Sequence, residues 1–197
     1  MCNLYQLEKG PDAIRKIFEA AQIPLTFPEG IPNFEPRNVR ITDRAPIVRF
    51  NRDRGTAELI ERRWSWPAPG GKPVFNMRSD GREFARDRCL VLADGFYEFT
   101  AAADPKQKKK DCWLFRPTDG QPFAIAGVTR NDAQVGEAFT LLTIPPGPDI
   151  APYHNRQIAL LSPPQWRDWL DGSVSSKEML RPAEAGELSV SEASSSP

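Results

Sequence analysis

Apolar positions recur along this chain with two different periods, one typical of helices and one of strands. Residues 10–22 predict a helix that has Pro11 in its first turn. Its apolar face comprises Ile14, Ile17, Phe18 and Ala21. Residues 162–172 predict a second, shorter helix. One side of that helix carries Trp166, Trp169 and Leu170.

Short runs rich in β-branched and aromatic residues fill most of the remaining chain, separated by Gly, Pro, Asp and Asn. These runs predict strands at 45–50, 57–64, 89–93, 96–99, 112–115, 122–128, 138–144 and 157–161. Residues 122–144 read as two antiparallel strands joined by a polar loop. The pattern predicts an α+β fold, a single compact domain of mainly antiparallel, barrel-like β-sheet with peripheral helices.

The end of the chain has a different composition. Its last sixteen residues are small, polar and rich in serine, which is typical of segments that cannot bury a core. We therefore expect one domain over residues 1–181 and a flexible tail over 182–197.

Composition narrows the functional classes. The 197 residues include 26 Lys plus Arg and 26 Asp plus Glu, so nucleic-acid binding would need a local basic patch. Residues 36–55 hold six arginines, and 106–110 form a lysine-rich loop. An odd number of cysteines, one histidine and the absence of any long apolar run predict no metal site, no cofactor and no membrane association. We expect a cytoplasmic, monomeric protein.

Cys2 is the first candidate for chemistry. If Met1 is removed, Cys2 offers a free α-amine beside its thiol, with ordinary pKa values of about 8 and about 8.5. Both groups are then partly nucleophilic near neutral pH.

Glu98 and the sole histidine, His154, are candidate proton-transfer groups. Glu98 ends the aromatic run at 96–99, where burial would raise its pKa and make it a useful acid. The alternative is that strand alternation points Glu98 into solvent. His154 stands just before the apolar run at 157–161, at a strand entrance that can face a cleft.

Two polar stretches offer groups for binding. Alternation along 75–81 puts Asn76 and Arg78 on one face, where an amide can orient a nucleophile and a guanidinium can hold phosphate. Trp64 follows Arg63 in a stretch whose aromatic and basic residues suit stacking on unpaired bases, although tryptophan more often packs in a core.

Four segments together resemble the SOS-response-associated peptidase family, whose members are also called abasic-site processing proteins. They are MC at the N-terminus, NMRSD at 76–80, RCLVLADGFYEF at 88–99 and HNRQIALL at 154–161. The similarity runs from residue 1 to about 170. The resemblance implies a groove for single-stranded DNA and a processed Cys2 that condenses with the aldehyde of an abasic sugar to form a thiazolidine.

The same resemblance implies roles for individual residues. Cys2 matches the nucleophile, Asn76 the amide that positions it, and Glu98 and His154 the acid/base pair. The groove and its phosphate contacts correspond to Arg63, Trp64, Arg78, Ser79, Thr143 and Arg156. The family also implies a role in shielding the lesion near the nucleoid, with lyase or self-processing activity as further expectations.

The sequence departs from the family pattern in places. Asn3 and Leu4 replace the usual Gly-Arg, so an arginine expected to contact DNA is missing. Leu92 replaces a proline and Phe99 a tryptophan, while Gln157 and Ile158 replace Met-Pro. Two other functions stay open: an N-terminal-nucleophile peptidase or amidohydrolase that uses its own α-amine as base, and a non-catalytic single-strand binder.

Overall fold

The helices form where the apolar spacing predicts them, in a computed structural model that describes residues 2–104, 106 and 109–193. Helix α1 (Pro11–Ala20) buries Ile14 and Phe18. Helix α2 (Pro163–Asp171) buries both its tryptophans and ends at Gly172, whose φ of 76° is readily accessible to glycine. A short third helix, α3 (Ser176–Met179), follows. No helix in the described part of the chain is long and apolar enough to cross a membrane.

The strands account for most of the remaining structure, and every predicted apolar run lies in one or two of them. The strands are β1 (Leu4–Leu7), β2 (Leu25–Thr26), β3 (Arg37–Arg40), β4 (Arg44–Asn51), β5 (Thr56–Trp64), β6 (Trp66–Pro67), β7 (Pro73–Val74), β8 (Asn76–Arg78), β9 (Arg88–Ala93), β10 (Gly95–Thr100), β11 (Asp111–Pro117), β12 (Phe123–Asp132), β13 (Gly136–Ile144), β14 (Gln157–Ile158), β15 (Leu160–Leu161) and β16 (Leu188–Glu192). The predicted hairpin is confirmed as β12 and β13, which pair antiparallel from Gly127 and Leu141 to Asp132 and Gly136.

A closed barrel forms the centre of the molecule. Strand β13 pairs with β12, β12 with β9, β9 with β4 and β4 with β5, and β5 returns to β13 through a parallel pairing of Ala138 with Arg63 and Phe139 with Trp64. Closure removes the exposed edges that an open sheet would present. The pairings put Ile47, Val91 and Leu141 on one face of this barrel, and all three are fully buried. The prediction of a barrel-like, mainly antiparallel α+β domain is confirmed.

A second sheet packs against the barrel and carries the beginning of the chain. Its strand order is β16, β11, β10, β1, β3, and all of these pairings are antiparallel. Tyr5 on β1 contacts Trp64 on β5 with ring centroids 5.2 Å apart, so aromatic packing joins the second sheet to the barrel.

The prediction of a flexible tail over 182–197 is wrong for part of that segment. Residues Leu188–Glu192 form β16, which pairs with β11 in a register that sets Leu188 opposite Pro117. The physical reason is an available sheet edge on β11 together with one apolar anchor, since Leu188 is buried. Residues 194–197, and part of the lysine-rich loop at 106–110, lie outside the described residues.

Candidate functional site

Cys2 lies immediately before β1 and is buried. Its Sγ atom lies 3.3 Å from the carbonyl oxygen of Leu4. Burial raises the pKa of the Cys2 thiol, and the nearby charge of Glu98 raises it further. The thiol is therefore held in its protonated form, close to Glu98. The two other cysteines, Cys89 and Cys112, are buried among apolar residues.

Glu98 reaches this position because β10 pairs with β1. The register sets Tyr5 opposite Phe96, and continuing it along the same ladder brings the start of the chain level with Glu98. Glu98 is only 1% exposed, so the predicted buried arrangement is confirmed and the solvent-facing alternative is wrong. Desolvation raises the pKa of the Glu98 carboxyl. Such a carboxyl keeps its proton to a higher pH than an ordinary glutamate does.

Asn76 contacts Cys2 directly. It begins β8, which runs parallel to β13 with Asn76 level with Leu141. Its Nδ2 donates a hydrogen bond to the carbonyl oxygen of Cys2 over 2.7 Å. Its Oδ1 is buried and has no hydrogen-bond partner among the described residues. Asn76 therefore fixes the backbone of Cys2 and leaves one acceptor available beside it.

Tyr153, the residue before His154, packs on the same sheet. Trp113 on β11 is directly opposite Glu98, so the two side chains share one face of the sheet. The ring of Tyr153 packs on that face, 5.0 Å from Trp113 and 5.2 Å from Phe115. Burial lowers the pKa of His154, which favours the neutral imidazole.

The residues predicted to line a DNA groove fall into an exposed and a buried group. Arg78 is exposed at the end of β8, and the partly exposed Arg63 donates to the carbonyl oxygen of Thr42 over 3.1 Å. Ser79, Thr143 and Arg156 are at most 9% exposed and bond to other protein groups.

The predicted stacking role of Trp64 is wrong. Trp64 is fully buried, its rings contact Tyr5 and Phe75, and its Nε1 donates to the carbonyl oxygen of Phe75 over 2.8 Å. A base could reach its face only if the contact between the barrel and the second sheet opened. The alternative use of tryptophan, core packing, applies here.

One residue of this region was missed from the sequence. Asp80 forms an ion pair with Arg156, with 2.6 Å between Oδ2 and Nη2, and this contact lowers the pKa of Asp80. A carboxylate directly after NMRS was the available signal, but only the fold brings the distant Arg156 to it.

Comparison with known proteins adds a family to this geometry. The model of the family described as "SOS response associated peptidase (SRAP)" matches residues 1–196 of this chain. The chain belongs to the SRAP family. A curated relative is abasic site processing protein YedK of Escherichia coli strain K12. It is 28% identical over 169 residues, covering 73% of this chain and 74% of YedK.

Solved structures of similar fold come from two further bacteria. A protein from Bordetella bronchiseptica has a TM-score of 0.72 and 22% identity, covering 98% of this SRAP chain and 100% of its own. A phage-related protein of the same organism has a TM-score of 0.72 and 20% identity, covering 98% and 94%. A Bacteroides thetaiotaomicron protein has a TM-score of 0.69 and 16% identity, covering 97% and 91%. At these identities the likeness concerns the fold.

Proposed function

We propose that this protein processes abasic sites in single-stranded DNA by forming a covalent thiazolidine link through Cys2, after removal of Met1. Met1 itself lies outside the described residues. The observation that carries the proposal is the position of Cys2, which Asn76 holds over 2.7 Å and which lies close to the buried Glu98. Membership of the SRAP family and the name of the relative YedK support abasic DNA as the substrate.

The first chemical step joins nitrogen to carbon. The α-amine of Cys2 adds to the aldehyde of the ring-opened sugar, which gives a carbinolamine. Loss of its hydroxyl group as water needs a proton, and Glu98 supplies it because desolvation raises the pKa of its carboxyl. The products are an iminium ion, water and the Glu98 carboxylate.

The second step closes the ring. The Cys2 sulfur adds to the iminium carbon, and the thiol proton passes to the Glu98 carboxylate, which regenerates the acid. Amine and thiol belong to one residue, so ring closure is intramolecular, and well-aligned reactions of that kind reach effective molarities of about 10⁵–10⁸ M. The balance is aldehyde plus aminothiol giving thiazolidine plus water.

His154 and Arg78 serve the sugar and its phosphates. The neutral imidazole of His154 transfers a proton during opening of the sugar hemiacetal, and it provides the base that a lyase reaction would need. Arg78, exposed beside Asn76, binds the backbone phosphate. Phosphate contacts carry no sequence information, so we expect little base preference and an initial encounter that weakens with salt.

The cellular role follows from this chemistry. A monomer that caps an abasic site covalently shields the lesion during the DNA damage response. We place it in the cytoplasm, associated with the nucleoid.

The test is a denaturing gel. The wild type is incubated with single-stranded DNA that carries one abasic site, beside Cys2→Ala and a form extended at its N-terminus. The expected result is a shifted band that survives high salt and detergent and appears only with wild-type protein. Since both variants lack the free aminothiol, a shift with either of them contradicts the proposal.

The same samples separate the other two functions. A peptidase would cleave a peptide substrate without shifting the DNA, and a simple single-strand binder would give only a complex that high salt dissolves. Intact single-stranded DNA is the matched control, because it offers phosphates and bases but no aldehyde.

A further inference from the structure

A charged clamp joins the end of β8 to the loop that carries His154. Nη1 of Arg156 donates to Oδ1 of Asp80 over 3.0 Å, and Nη2 lies 2.6 Å from Oδ2. Nη2 also donates to the carbonyl oxygen of Thr143 over 2.6 Å and contacts its Oγ1 at 3.3 Å. One guanidinium therefore binds groups on two separate elements, in the bidentate geometry that arginine favours with carboxylates.

The backbone of Arg156 continues the clamp to the imidazole. Its N–H lies 3.0 Å from Nδ1 of His154, and its carbonyl oxygen lies at the same distance. Nδ1 accepts from the N–H when the ring proton is on Nε2, and it donates to the carbonyl oxygen when the proton is on Nδ1, so the backbone of Arg156 acts on the ring form. A hydrogen bond at one ring nitrogen thus decides which form the other nitrogen presents.

The other end of the clamp lies next to β8, the strand whose Asn76 donates a hydrogen bond to Cys2. Asp80 stands two residues after Arg78, and the intervening Ser79 donates to the carbonyl oxygen of Thr143 from both its N–H and its Oγ, each over 3.0 Å. Asn76 begins the same strand. Hydrogen bonds and one ion pair between protein groups therefore connect the strand with Asn76 to the loop with His154.

We propose that Asp80 is a positioning residue: through Arg156 it sets the place and the ring form of His154 relative to Cys2. The inference rests on the proposed function for its role in the reaction. It also assigns Arg156 and Thr143 to the interior of the site, instead of the direct DNA contacts predicted from the sequence. A buried guanidinium that loses its carboxylate partner rearranges, and the backbone of Arg156 moves with it.

The first test reads the imidazole itself. The chain has a single histidine, so uniform ¹⁵N labelling gives one pair of imidazole nitrogen signals that belong to His154. In the wild type near neutral pH we expect the pattern of one defined ring form, since both backbone groups of Arg156 contact Nδ1. In Asp80→Asn we expect signals of mixed or altered ring forms. Unchanged imidazole signals in a folded Asp80→Asn protein would overturn the proposal.

The second test separates the reaction from DNA binding. Asp80→Asn should slow link formation at saturating abasic DNA by about 10- to 100-fold, the cost of a small misplacement of a reacting group. Affinity for intact single-stranded DNA should hold or rise, because a negative charge has been removed. Asp80→Glu, which restores the carboxylate, should recover part of the rate.

The control is Asp53→Asn, an equal charge change in the exposed turn between β4 and β5. It should leave the rate of link formation unchanged. A rate loss in Asp80→Asn that disappears at saturating DNA would mark a binding role and overturn the proposal, as would an unchanged rate. If the wild type forms no link, the proposed function fails, while the imidazole signals still decide whether Asp80 positions His154.

Discussion

Two buried glutamates of this protein have opposite surroundings. Glu58 is 2% exposed and accepts from Nε of Arg49 over 3.1 Å and from Nδ2 of Asn51 over 2.8 Å. Glu98 is 1% exposed, but it lies beside the thiol of Cys2, and desolvation dominates its pKa. The same side chain at the same depth contacts a guanidinium in the barrel and lies beside a thiol in the second sheet.

The surroundings of Glu58 extend into a network. Arg49 also contacts Glu137, which accepts from Nε of Arg62, and Arg62 in turn pairs with Glu29. Acidic and basic side chains alternate along this network, so each charged group in it contacts a group of opposite charge. The comparison shows that burial alone does not mark a functional carboxyl. Glu98 is marked by a raised pKa and a neighbouring nucleophile together.

The largest expected effect is on the reaction. Glu98→Gln removes the acid that helps water leave the carbinolamine, so we expect link formation to slow by about 10²–10⁴-fold, the usual contribution of one acid/base group. The measurement is the single-turnover rate of covalent product with abasic single-stranded DNA in excess. Glu58→Gln is the matched control, a buried glutamate changed in the same way, and its rate should equal that of the wild type. Equal rates for wild type and Glu98→Gln would remove Glu98 from the mechanism.

A smaller effect, on stability, distinguishes the other glutamate. Glu58→Gln leaves Arg49 without the charge it faces across β4 and β5, and we expect a loss of about 1–3 kcal/mol in the free energy of unfolding. Urea unfolding followed by tryptophan fluorescence measures it. In the same experiment Glu98→Gln should lose less, since desolvation disfavours the charged form of Glu98 in the folded protein. A Glu98→Gln loss as large as that of Glu58→Gln would mean that both glutamates are structural.

Much of the fold was predictable because local patterns decide it. The faces of α1 and α2, and the apolar runs in β4, β5, β9, β12 and β13, record burial directly in the sequence. Strand β3 (Arg37–Arg40) and β16 (Leu188–Glu192) escaped prediction because both are mostly polar. Such strands exist because distant partners offer them an edge, which a local pattern cannot reveal.

The candidate site was predictable in residue types more than in contacts. Cys2, Asn76 and Glu98 stood out as reactive or polar groups in unusual settings, and the structure brings them together. The burial of Trp64 escaped prediction because the local sequence, a tryptophan beside an arginine, is the same whether the ring faces solvent or packs on an aromatic partner. The contact between Asp80 and Arg156 also escaped, since the two residues lie 76 positions apart.

The smallest expected effect is the pH dependence that Glu98 adds to folding. Between the ordinary glutamate pKa of about 4.3 and the raised value in the folded protein, the native state keeps the Glu98 proton and the unfolded chain has lost it. Unfolding then releases a proton, so this group makes stability fall as pH rises through the window. The slope it contributes is at most about 1.4 kcal/mol per pH unit.

Glu98→Gln has no proton to lose at this position, so its stability should gain on that of the wild type as pH rises through the window. Urea unfolding at several pH values from about 4 upward measures the difference between the two proteins. Glu35→Gln, at an exposed position, controls for the loss of one carboxyl group. A constant difference between Glu98→Gln and wild type across the series would mean that Glu98 binds its proton no more tightly in the folded protein. The proton for water loss would then have to come from another group.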